Sequence, residues 1–212
     1  MLSITEIVSS LHGEGKYTGF PCTFIRLHGC PNRCRYCDSL HAVTQKRKKR
    51  MSIETVCNYV FRMRNPYVCI TGGEPLIQDD CLPLVYELLS RGYKVNVETS
   101  GTVEIEESYH RSFHYTMDIK CPSSGISHKN IYSNLDNLQS IDEVKFVISD
   151  LEDYCFAKDV LKQYSTKASI IFSPCFHPNG ENIAKELSNW LIEDKLHNVR
   201  LGVQVHKLVG FY

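Results

Sequence analysis

Short apolar runs alternate with amphipathic helical stripes along the whole chain, and this alternation constrains the fold more than anything else. Tyr67-Val68-Cys69-Ile70-Thr71 is a nearly continuous apolar run, as a strand buried on both faces requires. Before it, Ser52 stands where a helix cap belongs, and Ile53, Val56, Cys57, Val60 and Phe61 recur on one helical face. After it, Leu82, Val85, Leu88 and Leu89 form a second stripe that stops near Gly92. Residues 22–27, 93–98, 115–118, 144–148, 169–173 and 199–205 read as further strands. Ala157, Val160, Leu161 and Tyr164 mark another helix, and so do Ile183, Leu187, Trp190 and Leu191. The pattern predicts an α/β fold with mainly parallel strands. Thr71, Glu98, Asp118 and Gln204 fall at or near strand C-terminal ends, where βα barrels build active sites. The 212 residues fall short of the ~250 typical of a closed eightfold barrel, so a partial, open TIM-like βα barrel fits the length. A doubly wound sheet is the alternative. One core is expected, in a single domain over residues 1–212.

Charge excludes some partners. Lys plus Arg and Asp plus Glu both total 24, so the balance gives no reason to expect nucleic acid. No apolar stretch approaches the ~20 residues that span a bilayer, so no membrane is expected either. The run Lys46-Arg47-Lys48-Lys49-Arg50 reads as a phosphate-binding patch or as a solvated loop. Met1-Leu2-Ser3-Ile4-Thr5-Glu6 has neither a basic n-region nor a long apolar core, so a reducing, cytoplasmic setting is expected.

The chemistry is concentrated at Cys30, Cys34 and Cys37, spaced C-x3-C-x2-C. Three thiolates in one loop can hold three irons of a [4Fe–4S] cluster, leaving the fourth iron open to a ligand. Zinc is the alternative, although no second C-x2-C pair is present to complete a ribbon. The other seven of the 10 cysteines stand singly among apolar neighbours and read as buried, reduced thiols. Gly72-Gly73-Glu74-Pro75 follows the strand at 67–71. Its glycines let backbone approach a ligand closely, or simply make a tight turn.

The cysteine loop and the G-G-E-P turn together resemble the radical S-adenosylmethionine (SAM) superfamily. The resemblance implies a [4Fe–4S] cluster on Cys30, Cys34 and Cys37. SAM would sit on its open iron, contacted by Tyr36, Cys37, Asp38, Gly72, Gly73, Glu74, Ser100, Lys120 and Ser123. His12-Gly13-Glu14-Gly15, the run 24–30, Cys37-Asp38-Ser39, Glu98-Thr99-Ser100-Gly101-Thr102, residues 118–125, 143–148 and Gln204-Val205-His206-Lys207 occur in the order seen in the 7-carboxy-7-deazaguanine synthase family. That family rearranges 6-carboxy-5,6,7,8-tetrahydropterin to 7-carboxy-7-deazaguanine with loss of ammonia, on the way to queuosine and other deazapurines. The resemblance implies cleavage of SAM to methionine and a 5′-deoxyadenosyl radical, hydrogen abstraction from the pterin, and regeneration of SAM. It implies that His12, Gly13, Glu14, Arg26, Thr71 and Tyr212 bind substrate, and that Ser39, where the family has threonine, binds Mg²⁺. A reductant such as flavodoxin or ferredoxin and a homodimer are implied as partners. His12 stands where glutamine is usual, and His206, among apolar neighbours, reads as a core histidine. Two rivals stand beside this reading: a glycyl-radical activase, and a non-catalytic zinc or Fe–S module.

Overall fold

Strands that are apolar on both faces need cover on both sides, and the chain supplies it differently on each. The computed structural model describes residues 1–44, 48–176 and 183–210. Its strands are β1 (Leu2–Leu11), β2 (Pro21–Leu27), β3 (Lys49–Met51), β4 (Tyr67–Gly72), β5 (Lys94–Thr99), β6 (Phe113–Ile119), β7 (Glu143–Ile148), β8 (Ser169–Pro174) and β9 (Val199–Leu201). Its helices are α1 (Leu40–Thr44), α2 (Ile53–Met63), α3 (Cys81–Ser90), α4 (Asn134–Asn137), α5 (Leu151–Gln163), α6 (Ala184–Glu193) and α7 (Val205–Leu208). The nine strands form one sheet ordered β3-β1-β2-β4-β5-β6-β7-β8-β9. Every neighbouring pair from β2 to β9 is parallel, while β1 runs antiparallel to β2 and β3. With β3 and β9 as its two edges the sheet is open, and the expected open, mainly parallel α/β architecture is what the chain adopts.

The period of two along each strand separates two layers. Val68 and Ile70 of β4 and Val95 and Val97 of β5 join Val56, Val60, Leu84, Val85 and Leu88 of the helices in the apolar core. The alternate residues are polar and stand in register across the other face. Cys69 is paired with Asn96, and Asn96 with His114; Glu98 is paired with Thr116, and Thr116 with Glu143; Asp118 is paired with Lys145. The connection between β1 and β2 covers this polar face. The His12 ring lies 3.3 Å from Asn96 Oδ1, and the Lys16 N–H donates to Glu143 Oε2 at 3.0 Å. The Val205 N–H donates to Gly13 O at 3.0 Å, which brings α7 over the same connection.

Several expectations change at the edges. Ser52 caps α2 by accepting from the Thr55 N–H at 3.2 Å, as its position implied. The antiparallel β1 and β3 go unread in the sequence. The basic run is a loop only in part: Lys48 lies outside regular structure, Lys49 and Arg50 lie in exposed edge strand β3, and Lys46 and Arg47 lie outside the described residues. The strand expected over 199–205 stops at Leu201, and residues 205–208 are helical. All ten cysteines are free, but Cys155 is exposed rather than buried. Among the described residues no helix is long and apolar enough to cross a membrane.

Candidate active site

The cysteine loop leaves β2 and packs against the turn that leaves β4. The Gly73 N–H donates to Leu27 O at 3.0 Å, and the Glu74 N–H donates to Gly29 O at 2.8 Å. Gly72 has φ +129°, and a Cβ on it would meet Leu27 O at 2.2 Å; one on Gly73 would meet Gly29 O at 1.9 Å. Only glycine permits so close a backbone approach. This packing sets the three cysteines and the glycines on one cavity wall.

Cys30, Cys34, Cys37, Tyr36, Ser100 and Lys120 line that first cavity. Burial keeps the Cys30 and Cys34 thiols above the usual range in the absence of a cation. Among the described residues the one group of three ligand atoms lying within 4.8 Å of each other is His12, Cys69 and Glu98. The three thiols of the loop are not such a group, so at least one pair of them stands more than 4.8 Å apart. Three thiols on one cavity, an all-cysteine donor set, suit a cubane that keeps one iron open. The Tyr36 hydroxyl is buried without a partner, so the same wall presents an unused polar atom and an aromatic face.

A second cavity adjoins the first, and Glu14, Asp38, Ser39, Thr71, Glu98 and Lys207 line both. Gly13 and Arg26 line the second alone. Arg26 is steadied by its Nε–H, which donates to Glu6 Oε1 at 2.8 Å. Thr71 Oγ1 donates to Glu98 Oε2 at 3.0 Å. Ser39 Oγ donates to Gly72 O at 3.1 Å, fixing the hydroxyl at the boundary of the two spaces.

Electrostatics at this boundary are a ladder of alternating sign. Glu14 Oε2 accepts from Lys145 Nζ at 2.7 Å, Lys145 lies 3.3 Å from Asp118 Oδ1, and Asp118 Oδ2 accepts from Lys120 Nζ at 2.7 Å. Gln204 donates to the other Glu14 oxygen. Burial alone would raise the Glu14 pKa, but Lys145 and Gln204 overcome it and bring it down to about 2. Burial likewise opposes charging Lys120, yet Asp118 and the nearby Cys34 sulfur hold it above its ordinary value. Both carboxylates are thus ionised and both ammoniums protonated at neutral pH.

Not every expected residue reaches a cavity. Glu74 is fully buried, and its carboxylate accepts from Leu76 N–H, Thr99 Oγ1, Ser100 N–H and Ser100 Oγ at 2.5–3.1 Å. With four donors spent on it, Glu74 ties β4 to β5 beneath the cavity wall. Ser123 points elsewhere, its hydroxyl donating to Asp150 Oδ2 at 3.0 Å. The His12 ring is 2% exposed and packs between Tyr17 and Phe24, so only its neighbours Gly13 and Glu14 face the cavity. Tyr212 lies outside the described residues. His206, read as a core residue, is half-buried and lines the second cavity because α7 ends the chain's polar cover rather than a core strand. Lys145 stands within the 143–148 motif, whose local pattern assigns it no partner. Its meaning depends on Glu14, which lies 131 positions away, and no local spacing carries that.

Residues 24–119 match the radical SAM superfamily profile. The chain is 40% identical to the 7-carboxy-7-deazaguanine synthase of Koribacter versatilis, over 98% of this chain and 96% of that one. It is 37% identical to the protein of the same name from Methanospirillum hungatei, over 99% of this chain and 86% of that one. The crystal structure of QueE from Escherichia coli is similar with a TM-score of 0.77 at 27% identity, covering 97% of this chain and 94% of that chain. Fold, cysteine loop and glycine turn define a radical SAM enzyme, with a [4Fe–4S] cluster and SAM as its cofactors. Within that class, the chain belongs to the 7-carboxy-7-deazaguanine synthase family.

Proposed function

We propose that the chain converts 6-carboxy-5,6,7,8-tetrahydropterin to 7-carboxy-7-deazaguanine with loss of ammonia, as a step in queuosine and other deazapurine biosynthesis. The observation that carries this reading is the pair of adjoining cavities that share Glu14, Thr71, Glu98, Asp38, Ser39 and Lys207. One cavity is walled by the three cysteines, the other by Arg26 and Glu14. A [4Fe–4S] cluster in the first supplies, when bound, the electron that makes SAM a hydrogen-abstracting reagent.

The chain's own residues do the rest. Cys30, Cys34 and Cys37 hold the cluster and leave one iron free for SAM. Gly72 and Gly73 bring backbone to the amino acid end of SAM, Tyr36 offers its ring to the adenine, and Asp38, Ser100 and Lys120 add polar contacts around it. Glu14, ionised, accepts hydrogen bonds from the amino-pyrimidinone edge of a pterin. Arg26 presents a planar fork to the substrate carboxylate, and Thr71 adds a hydroxyl. Ser39 offers Mg²⁺ one hard oxygen where the cavities meet, and water and substrate oxygens would complete the shell. A one-electron reductant such as flavodoxin or ferredoxin and a homodimeric assembly are carried over from the family resemblance. Ten free cysteines suit a reducing, cytoplasmic setting. A glycyl-radical activase acts on a protein loop and needs no pterin pocket, whereas Arg26 and Glu14 on the second cavity offer a fork for a carboxylate and an acceptor for a pterin edge.

The test is anaerobic. Reconstituted, reduced protein with SAM, Mg²⁺ and 6-carboxytetrahydropterin is expected to yield 7-carboxy-7-deazaguanine by mass spectrometry. Release of 5′-deoxyadenosine without that product would refute the substrate and keep the radical chemistry.

A further inference from the structure

We propose that Lys145 is a positioning residue that keeps Glu14 an ionised hydrogen-bond acceptor, and so decides the hydrogen-bonding sense of the substrate cavity. The proposal rests on the pterin reading above for the ligand, but its physical core is independent of it.

Glu14 reaches the cavity from the β1–β2 connection, which no ladder of the sheet holds at this point. Lys145 rises from β7 on the polar face, and its Nζ meets Glu14 Oε2 at 2.7 Å and Asp118 Oδ1 at 3.3 Å. Both Lys145 and Glu14 are largely buried, with side chains 14% and 18% exposed. Two carboxylates, Glu14 and Asp118, are thus balanced by two ammoniums, Lys145 and Lys120. Without Lys145 the group keeps two carboxylates and one ammonium. Lys120 stays with Asp118 at 2.7 Å, so Glu14 carries the unbalanced charge in a buried place. Such a carboxylate recovers by taking up a proton. Protonation turns one of the two Glu14 acceptor oxygens into an O–H donor, so one N–H on the amino-pyrimidinone edge of a pterin faces a donor and loses its partner.

The other groups facing Glu14 cannot replace the lost charge. Gln204 from the segment before α7 is neutral, Glu98 of β5 is itself acidic, and His206 of α7 is held below its ordinary pKa, chiefly by burial. Lys207 lines the same space as a cation but makes no ion pair with Glu14 among the described residues.

Lys145→Met and Lys145→Arg, each as reconstituted holoenzyme, test the assignment. Pterin and SAM affinities are measured separately by anaerobic calorimetry between pH 6 and 9. Lys145→Met is expected to lose about tenfold or more in pterin affinity at pH 7, the scale of a hydrogen bond to a charged group, with a smaller change in SAM affinity, because Lys145 also lines the first cavity. The loss should shrink as pH rises and Glu14 ionises again, while Lys145→Arg and the parent stay flat. Infrared difference spectra should show a protonated carboxyl band in Lys145→Met at pH 7 that is absent from the parent and from the Lys145→Met, Glu14→Gln double variant. That band is readable even if the pterin is the wrong substrate, so failure of the substrate reading shows as a parent enzyme that does not bind pterin at all. Unchanged pterin affinity in Lys145→Met, or no carboxyl band, would overturn the role. Loss of SAM and pterin binding alike, unrescued by arginine, would make Lys145 a folding residue and overturn it as well.

Discussion

Arg26 shows how much of a site lies in the choice of a single side chain. Its Nε–H is spent on Glu6, and the side chain lines the second cavity. A lysine there would keep the charge and lose the planar fork. Arg26→Lys is therefore expected to weaken pterin affinity by about tenfold while leaving the cluster's visible absorption unchanged; equal affinity by calorimetry would remove Arg26 from carboxylate recognition. The cysteines make a sharper case. Cys30→Ala, Cys34→Ala and Cys37→Ala are each expected to abolish release of 5′-deoxyadenosine, because each withdraws one of three iron ligands, and substantial release from any of them would break the assignment. These residues were legible in the sequence because their spacing is itself the chemistry. Glu74 and His12 were legible as motif members but not as side chains turned away from the cavity. That outcome depends on which donors surround them after folding, namely Thr99 and Ser100 for Glu74 and Tyr17, Phe24 and Asn96 for His12.

Elements followed their periodicity wherever one face is wholly apolar. α2 starts at its serine cap and β4 at its apolar run, since local preference and burial agree there. Removing the cap by Ser52→Ala is expected to cost about 1 kcal/mol of stability, read as a lower denaturation midpoint with the slope unchanged. A slope change as well would mean that α2 frays independently of the sheet. β1 escaped the same reasoning because, beyond Leu2 and Ile4, its residues are half-buried or exposed, so neither face gives a clean alternation. β3 escaped because a run of basic residues carries no strand signal; pairing with Ser3 and Ile4 extends it.

For the whole molecule, the polar face sets the response to acid. His114 is buried in the layer between Asn96 and Glu143, and burial, with lesser help from Lys16 and His12, lowers its pKa from 6.5 to about 3. A neutral histidine of this kind contributes stability that is present above 6.5 and is lost as pH falls from 6.5 toward 3, because the unfolded chain takes the proton first. Glu14, lowered from 4.5 to about 2, adds a second loss only as pH falls below 4.5. Above pH 4.5 His114 shares this loss with His206, whose pKa burial also lowers, and at pH 5 the share of His114 is about 2 kcal/mol. His114→Gln is expected to flatten the dependence of the unfolding midpoint between pH 6.5 and 4.5; an unchanged slope in that range would show that His114 is charged in the folded chain.

The sequence by itself determined the class of sheet, the close spacing of the three loop cysteines and the glycine turn. Each rests on preferences acting over a few residues: a period of two or of 3.6, a cap, a ligand spacing, a close backbone approach. Only the tertiary structure decided which polar side chains share a cavity. The parallel register sets Asp118 beside Lys145, and the β1–β2 connection then lowers Glu14 onto that pair from 131 residues away. Charge balance in a buried site depends on distances in space, and no separation along the chain encodes them.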